Sequence, residues 1–476
     1  MKPMSLEESP APRSLLTAAT LVFIGGCATF SPDGGFSVVE EALQTRTGEQ
    51  AKWVRSETDA GAVAAEVKRL LAAPLGASEA VRIALLNNRG LQAAYAELGI
   101  AEGDLVQAGR WINPTFSYAR LRRGDELEIE RSLLFNVLAL LTMPRRVEIA
   151  EQRFAQVQLR AAAEAMQLTA DTRRAWTEAV AAQESLRYFG QVQASAEAGA
   201  TLAGRAAAIG NMPRLHHMRE QVFYAEASAQ FGRARVAAGA ARERLTRLLG
   251  LEAADFRLPE RLPDLPAAPR ELGAAESAAL QQRLDVLASK RETEALAATL
   301  GLTKATRFVD VLELSAIHKS EAPGLPQKGW EVELRLPIFD TGDARLAQAQ
   351  HRYLQAVNRT AQVAVNARSE VREAYAAYGA AYELARHYRD EVVPLRKRIS
   401  DENLLRYNGM LIGVFELLAD ARETTAAVNA AIGAAREYWL AESTLQMALT
   451  GRSPGSLGGG SAVTAISAGG AGAGEH

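Results

Sequence analysis

One short segment brings together histidine and methionine side chains that could bind a soft metal ion. His216, His217 and Met218 are consecutive, and Met212 lies shortly before them. Imidazole and thioether groups are ligands that suit soft or borderline transition metals. However, His217 and Met218 are neighbours that do not share a helix face, and no cysteine assists them. We therefore predict no metal site here, only the solvated polar start of a helix, and keep metal binding as the alternative.

The sequence lacks the motifs by which catalytic sites are commonly recognised. It has no phosphate-binding glycine loop, no H-E-x-x-H pair, no nucleophile elbow and no spaced Cys/His cluster. We therefore expect no enzymatic activity and no cofactor. The formal net charge is -2, whereas nucleic-acid binding requires a basic surface, so nucleic acid is not an expected partner.

The single cysteine, Cys27, follows a segment typical of an export signal. Residues 1–26 contain the basic Lys2 and Arg13 and an apolar run over residues 15–24, which is shorter than the ~20 residues of a membrane-spanning helix. The words Ile-Gly-Gly-Cys resemble a bacterial lipobox, in which the cysteine is lipidated and becomes the mature N-terminus. We predict a lipoprotein signal peptide over residues 1–26 and lipidation of Cys27. The alternative is an export signal followed by an incidental cysteine.

Residues 330–336 alternate between apolar and charged side chains, as a β-strand with two different faces does. The side chains expected on the apolar, lipid-facing side are Trp330, Val332, Leu334 and Leu336. Pro337 is expected to end the strand, and an Ala-, Gln- and Arg-rich helix follows from Ala344. In ordinary soluble domains strands and helices have comparable lengths. A short strand joined to a very long helix therefore indicates a special architecture.

A helix, two strands and two long helices are predicted in the same order twice along the chain. The first set occupies residues 77–257 and the second residues 271–450, with a proline-spaced linker over residues 258–270. The four strands are expected at residues 115–121, 126–136, 307–317 and 330–336. We predict an extended arm over residues 27–76 and a disordered Gly/Ala-rich tail over residues 451–476.

The predicted helices are too long and too charged to lie in a membrane. Residues 145–204 would span ~90 Å at ~1.5 Å per residue, whereas the hydrocarbon core of a bilayer is ~30 Å thick. In the second set a similar helix is expected over residues 344–389. The turn within each pair of long helices falls at a glycine, Gly210 or Gly409, which we expect to adopt the left-handed conformation.

The predicted strands cannot form a closed barrel within one chain. Four strands are too few, and an open strand edge in a bilayer leaves backbone groups without hydrogen-bond partners. If the strands are transmembrane, the chain must oligomerise, and three copies give ~12 strands, enough for a barrel with an aqueous lumen. We therefore predict a homotrimer.

The words L-P-I-F-D-T-G-D-A-R-L-A-Q-A-Q, which begin at Leu336, resemble the second strand-to-helix junction of the TolC-like outer-membrane efflux channels. The duplicated helix-glycine-helix turn is similar too, and the resemblance covers residues 77–450. It implies an α+β, mainly α, fold: a trimeric transmembrane β-barrel continued by a long periplasmic α-helical barrel. It also implies an outer-membrane location, favoured by Ala28 after Cys27, and two protein partners, a periplasmic adaptor and an inner-membrane pump.

By the same resemblance, the two helix turns would form the tip that docks the adaptor. The residues expected at this tip are Ala208, Ile209, Gly210, Asn211, Tyr407, Asn408, Gly409, Met410 and Leu411. Glu416 and Asp420 lie where the family has carboxylates near the closed end, and a ring of three would favour cations. The alternative is that both are solvated acids on a helix face. Independently, the charge density near the second turn suggests that Asp401, with Arg398 and Arg406, forms salt bridges that hold neighbouring helices shut.

These features together predict a lipid-anchored exit duct through which substrates delivered by a pump cross the outer membrane and periplasm. A periplasmic coiled-coil scaffold or adaptor, whose strands form a small domain outside the membrane, is the alternative from a different class. A type I protein secretion channel is the alternative within the channel class, because the sequence does not distinguish the transported substrate.

Overall fold

The computed structural model describes residues 29–271, 273, 275–322 and 324–453. Cys27 with its predicted signal peptide, and the tail from residue 454 onward, lie outside the described residues. The described chain is mainly helical and contains one four-stranded sheet, which confirms the predicted α+β, mainly α, fold class. Among the described residues, no helix has the length and apolar character needed to cross a membrane.

The elements follow each other in an order close to that predicted. The helices are α1 (Ser37–Thr47), α2 (Glu57–Leu70), α3 (Ala77–Asn87), α4 (Arg89–Ala108), α5 (Val137–Ala208), α6 (Arg214–Leu249), α7 (Ala275–Gln282), α8 (Leu284–Ala305), α9 (Asp343–His387), α10 (Val393–Asn408) and α11 (Val414–Thr450). The strands are β1 (Thr115–Arg123), β2 (Glu126–Asn136), β3 (Leu312–Ala322) and β4 (Gln327–Leu334). We call α5 with α6 the first hairpin, and α9 to α11 the second hairpin.

Two helices, α1 and α2, occur in the segment that the sequence predicted as an extended arm. The Ser56 hydroxyl caps α2 by accepting a hydrogen bond from the Asp59 amide at 3.1 Å. Val63, Val67 and Leu70 then follow each other at helical spacing and are buried against the rest of the chain. The short apolar stripe was overlooked because it spans only two turns between glycines and prolines.

The helix predicted at the start of the first set, from residue 77, is divided into α3 and α4 at two consecutive asparagines. Asn88 has an extended backbone, and its side-chain oxygen caps α4 at the Leu91 amide, 3.0 Å away. The Asn87 and Asn88 amide groups donate hydrogen bonds to carbonyl groups at the end of α6. The break therefore fastens the C-terminal end of the first hairpin to the N-terminal helices.

All four strands pair antiparallel in the order β1-β2-β3-β4. The bounds of β2 are those predicted. β3 begins and ends five residues later than predicted, at Leu312 and Ala322, and β4 begins at Gln327, three residues before the predicted start. β3 begins where its partner strands end, since Leu312 pairs with Leu334, the last residue of β4. Asp310 lies outside the ladder, with its carboxylate 3.6 Å from Arg335 and 3.8 Å from Arg345.

The first long helix, α5, begins eight residues before the predicted start at Arg145. The Asn136 side-chain oxygen caps it at the Ala139 amide, 2.7 Å away, so the helix starts directly at the end of β2. Pro144 lies inside α5 and does not end it. The 72 residues of α5 correspond to a length of about 108 Å.

The first long helical stretch of the second hairpin is interrupted by a short π-helical segment. A five-residue π-helical segment, Tyr388–Val392, joins α9 to α10. Pro394 is the second residue of α10, and in a regular α-helix its ring would clash with the carbonyl group of Asp390. The Val393 amide donates to the carbonyl of Tyr388, five residues back, and not to the residue four back as in an α-helix. This wider turn makes room for the proline ring.

A buried ion-pair network fastens the end of α11 to the start of α8. Arg283 is fully buried, and its guanidinium lies 2.6 Å from Asp285 and 2.8 Å from Glu370. The Leu284 amide donates a hydrogen bond to the Gly451 carbonyl at 2.9 Å. Burial by itself lowers the pKa of Arg283, but the hydrogen bonds that its guanidinium donates to the two carboxylates, together with their negative charge, outweigh burial and raise the pKa. The guanidinium therefore stays charged in the core.

Candidate functional site

The apolar side chains predicted for one face of β4 do share a face of the sheet. Trp330, Val332 and Leu334 lie in β4 and pair with apolar residues of β3, and the Trp330 side chain is 76% exposed. Leu336 is also exposed but lies beyond the end of β4, whose last residue, Leu334, pairs with the first residue of β3. Further exposed apolar side chains on the same face are Phe116, Tyr118, Leu133, Phe135 and Leu314. A single chain leaves this apolar face without a covering surface.

The opposite face of the sheet is polar and acidic. Its glutamates are Glu126, Glu128, Glu130, Glu313, Glu321, Glu331 and Glu333. Lys319 forms ion pairs across the strands, with its Nζ 2.9 Å from Glu128 and 3.3 Å from Glu130. Most of the negative charge on this face is left unbalanced, so the face suits water and attracts cations. We call the two sides of the sheet the apolar face and the acidic face.

The turns at the ends of the two hairpins have the same hydrogen-bond pattern. In the first, the Gly210 amide bonds the Ala207 carbonyl and the next amide bonds the carbonyl of Ala206, at 3.1 and 2.9 Å. In the second, the Met410 amide bonds the Tyr407 carbonyl and the next amide bonds that of Arg406, at 2.9 and 2.8 Å. Both turns are Schellman motifs, in which the residue after the helix cap is left-handed.

The prediction of a left-handed glycine is confirmed at Gly210 and wrong at Gly409. Gly210 has φ +79°, but Gly409 has φ -80°, and Met410 is the left-handed residue with φ 59°. The Schellman motif requires this conformation one residue after the cap, and Gly409 is the cap. Corresponding residues of the two turns differ by 200 in number, so Gly210 corresponds to Met410. The second turn therefore has no glycine at the left-handed position.

Both turns expose apolar side chains to solvent. Ile209 at the first turn is exposed, as are Met410 and Leu411 at the second, and Met410 is 93% exposed. The remaining residues predicted for the tip, Ala208, Gly210, Asn211, Tyr407, Asn408 and Gly409, are exposed as well. Exposed apolar residues grouped at the end of a long rod are typical of a contact surface.

The two carboxylates predicted near the closed end differ in their surroundings. Glu416 is exposed, whereas Asp420 is only 6% exposed and its Oδ2 has no hydrogen-bond partner among the described residues. The sequence analysis overlooked Glu220, which lies at the corresponding position after the first turn. Glu220 is 3% exposed, and its Oε1 lies 3.8 Å from the Arg422 guanidinium. The sequence could have indicated Glu220, because it lies as far after the first turn as Asp420 lies after the second.

The charged residues predicted to lock the second turn form different pairs from those expected. Asp401 and Arg398 are exposed on α10. Arg406 donates a hydrogen bond from Nε to Glu402 Oε1 at 3.0 Å, one helical turn away on the same helix. Within one chain, therefore, Arg406 stabilises its own helix and does not link to Asp401.

Two of the residues considered for a soft-metal site have different surroundings. His217 packs its Nε2 towards Gly204 of α5, while Met218 is exposed. In the described part of the chain, no three His, Cys, Asp or Glu side chains are arranged so that they could hold a metal ion.

Solved structures of outer-membrane channels have the same fold. The chain is similar to a membrane protein from Pseudomonas aeruginosa (TM-score 0.67, 21% identity, covering 81% of this chain and 93% of that chain). It is similar to the outer membrane channel CmeC of Campylobacter jejuni (0.68, 14%, 89% and 92%). It is also similar to the open state of the outer membrane channel MtrE of Neisseria gonorrhoeae (0.65, 20%, 78% and 88%).

No family model and no curated protein sequence matches the chain. At the identities above, the structural likeness shows the fold alone. The chain therefore has the fold of the TolC-like outer-membrane channels, and the resemblance found at the strand-to-helix junction is confirmed at the level of the fold.

Proposed function

We propose that the chain forms a homotrimeric channel that crosses the bacterial outer membrane and continues as a helical tube through the periplasm. It is a passive exit duct of a tripartite efflux system, to which an inner-membrane pump and an adaptor deliver substrates. The observation that carries the proposal is the sheet: it has one apolar face, one acidic face and two open edges. The fold shared with outer-membrane channels supports it.

The open edges are the reason for the trimer. β1 and β4 are the outer strands of the sheet, and their outward backbone groups require partners wherever water is absent. If β4 of one copy pairs with β1 of the next, three copies close a barrel of ~12 strands. The apolar face then contacts lipid, and the acidic face lines an aqueous lumen. The long helices extend from the barrel into the aqueous periplasm.

Accessibility labelling of adjacent β4 residues tests this arrangement. In a Cys27→Ser background reconstituted in liposomes, Val332→Cys should react with a bilayer-soluble maleimide and resist a charged, water-soluble one. Glu333→Cys, the matched control on the acidic face, should show the opposite pattern. Equal reaction of Val332→Cys and Glu333→Cys with the water-soluble reagent, or a monomer in detergent by light scattering, would contradict the channel.

The tip formed by the two turns is the proposed contact for the adaptor. Its exposed Ile209, Met410 and Leu411 provide an apolar surface far from the sheet. Replacing Ile209 and Met410 with aspartate should abolish efflux in cells, whereas single-channel conductance in planar bilayers should persist. Unchanged efflux would remove the adaptor role of the tip and leave the channel itself intact.

The closed end of the helical tube is proposed to carry a ring of carboxylates from Glu416 and Asp420, with Asp401 in the contacts that keep it shut. Glu416 is the exposed member of this set on α11. Charge reversal at Asp401 should raise the conductance of the reconstituted channel, because it replaces attraction between helices by repulsion. An unchanged conductance would remove Asp401 from the gate. Glu416→Gln should reduce the preference for cations.

Cys27 is the proposed anchor, with a lipid chain on its thiol. Two alternatives are distinguished by the same experiments. A periplasmic scaffold or adaptor would partition with the periplasm after Cys27→Ser and would show no conductance. A type I secretion channel would conduct equally well, but in cells that contain its partner pump it would export a protein. No conductance together with periplasmic partition would favour the scaffold.

A further inference from the structure

The apolar face of the sheet carries one row of basic side chains across its strands, with a tyrosine at one end. Arg131 of β2 pairs with Tyr118 of β1 and with His318 of β3, and His318 pairs with Lys328 of β4. Residues directly opposite each other in an antiparallel ladder project from the same face. We call these four residues the cationic row.

The cationic row marks the point at which the apolar face changes character. The adjacent row on the side of the helices is apolar and aromatic: it consists of Phe116, Leu133, Ala316 and Trp330. Two residues along a strand correspond to about 7 Å, so the cationic row lies about that far beyond Trp330, towards the hairpin ends. Arg120 and Arg122 continue the positive charge in that direction. The face is thus apolar near the helices and cationic near the opposite end.

No acidic side chain balances this charge on the same face. Within the described strands, every glutamate lies on the acidic face, on the other side of the sheet. The Nδ1 atom of His318 is shielded from solvent and has no hydrogen-bond partner among the described residues. Uncompensated cations beside a surface suited to hydrocarbon favour the binding of an anion supplied from outside the chain.

We propose that the cationic row binds the phosphate groups of membrane lipids in the outward-facing leaflet. This inference rests on the proposed function, because it requires the apolar face to lie in a bilayer. Arg and Lys bind phosphate through charge-assisted hydrogen bonds. Tyr118 and Trp330 beside them are the side chains that collect where hydrocarbon meets headgroups. The hairpin ends point away from the helices, so the row lies at the headgroup level of the leaflet opposite the helical tube.

A lipid-binding measurement on the purified full-length protein tests the row. Phosphatidylglycerol is titrated into the protein in a neutral detergent, and bound lipid is counted by native mass spectrometry. Arg131→Gln with Lys328→Gln should weaken binding about thirtyfold, since each cation near a membrane surface contributes about a factor of five. The matched control, Arg359→Gln with Lys397→Gln, removes the same charge from exposed positions on α9 and α10 and should leave binding within about twofold.

Further arms identify the occupant. Excess inorganic phosphate should displace little lipid, because the proposed ligand is held by its acyl chains as well. Lipid binding by the wild type should weaken as the salt concentration rises. This measurement tests the electrostatic binding even if the variant does not assemble. Unchanged lipid binding by the Arg131/Lys328 variant, equal competition by inorganic phosphate, or insensitivity to salt would overturn the proposal.

Conductance separates this inference from the proposed function. A variant that loses lipid binding but conducts like the wild type supports the cationic row and the channel together. A wild-type protein that conducts but binds no anionic lipid overturns the row alone. Absence of conductance in the wild type overturns the channel, and the row with it.

Discussion

The two helical hairpins end in turns of the same geometry but reach them through differently packed helices. In the first hairpin α5 is continuous, and Ala196 and Ala203 near the turn are almost fully buried. In the second hairpin α10 buries no residue, contains Pro394 near its start and is directly preceded by the π-helical segment. Identical turns therefore do not imply identical rigidity. The second hairpin has the fewer buried contacts and the weaker helix, so it is the one that can open at low free-energy cost.

Replacing Pro394 with alanine has the largest expected effect on this difference. The change restores a backbone donor and removes the ring, and proline in a helix interior costs about 3 kcal/mol relative to alanine. Amide hydrogen exchange over residues 388–408 should slow markedly, and the second hairpin should approach the first in stability. Pro144→Ala, which removes the proline of α5, is the control and should leave exchange over residues 388–408 unaltered. Unchanged exchange in Pro394→Ala would mean that the proline does not weaken the helix.

A swap between corresponding positions of the hairpins tests the packing difference. Ala203 of α5 is buried, whereas Asn403 of α10 is only partly buried. Ala203→Asn should destabilise the protein by about 1–3 kcal/mol, because an amide is buried without assured partners. Asn403→Ala should change stability by less than about 0.5 kcal/mol. Thermal unfolding of the two variants gives the answer, and equal effects would show that both hairpins are packed alike.

The left-handed residues at the turns should respond with opposite signs. Met410→Gly should stabilise the second turn by about 1 kcal/mol, since a non-glycine residue pays roughly that much for the left-handed conformation. Gly210→Ala should destabilise the first turn by a similar amount. Chemical denaturation of both variants measures the pair. The same sign for both would contradict the assigned backbone conformations.

The smallest effect is expected for the exposed pair Arg406 and Glu402 on α10. Its atoms are 3.0 Å apart, but both side chains are more than half exposed, and such pairs contribute about 0.3–0.5 kcal/mol. Arg406→Ala should therefore leave the melting temperature almost unchanged and raise only local exchange in α10. A loss of several kcal/mol would indicate that Arg406 bonds a neighbouring subunit.

Local patterns explain which parts of the fold could be predicted from the sequence. The alternation over β2 and β4 predicted strands and their faces correctly, because neighbouring residues in a strand point to opposite sides regardless of context. The early start of α5 was missed, since a proline commonly marks a helix boundary, whereas Pro144 lies inside this helix. The short helices α1 and α2 were missed because two turns of apolar spacing become a helix only when the other helices cover them. The two-repeat origin and the domain limits stay predictions.

By itself, the sequence determined the classes of element, the two-faced strands and the position of both turns, because these follow from the spacing of side chains along the backbone. Only the tertiary structure decided which residue in each turn is left-handed, that Asp420 and Glu220 are buried while Glu416 is exposed, and that four cationic or aromatic side chains meet in one row across the sheet. Those facts depend on helix ends and strand register, which join residues far apart in the chain and therefore leave no local pattern.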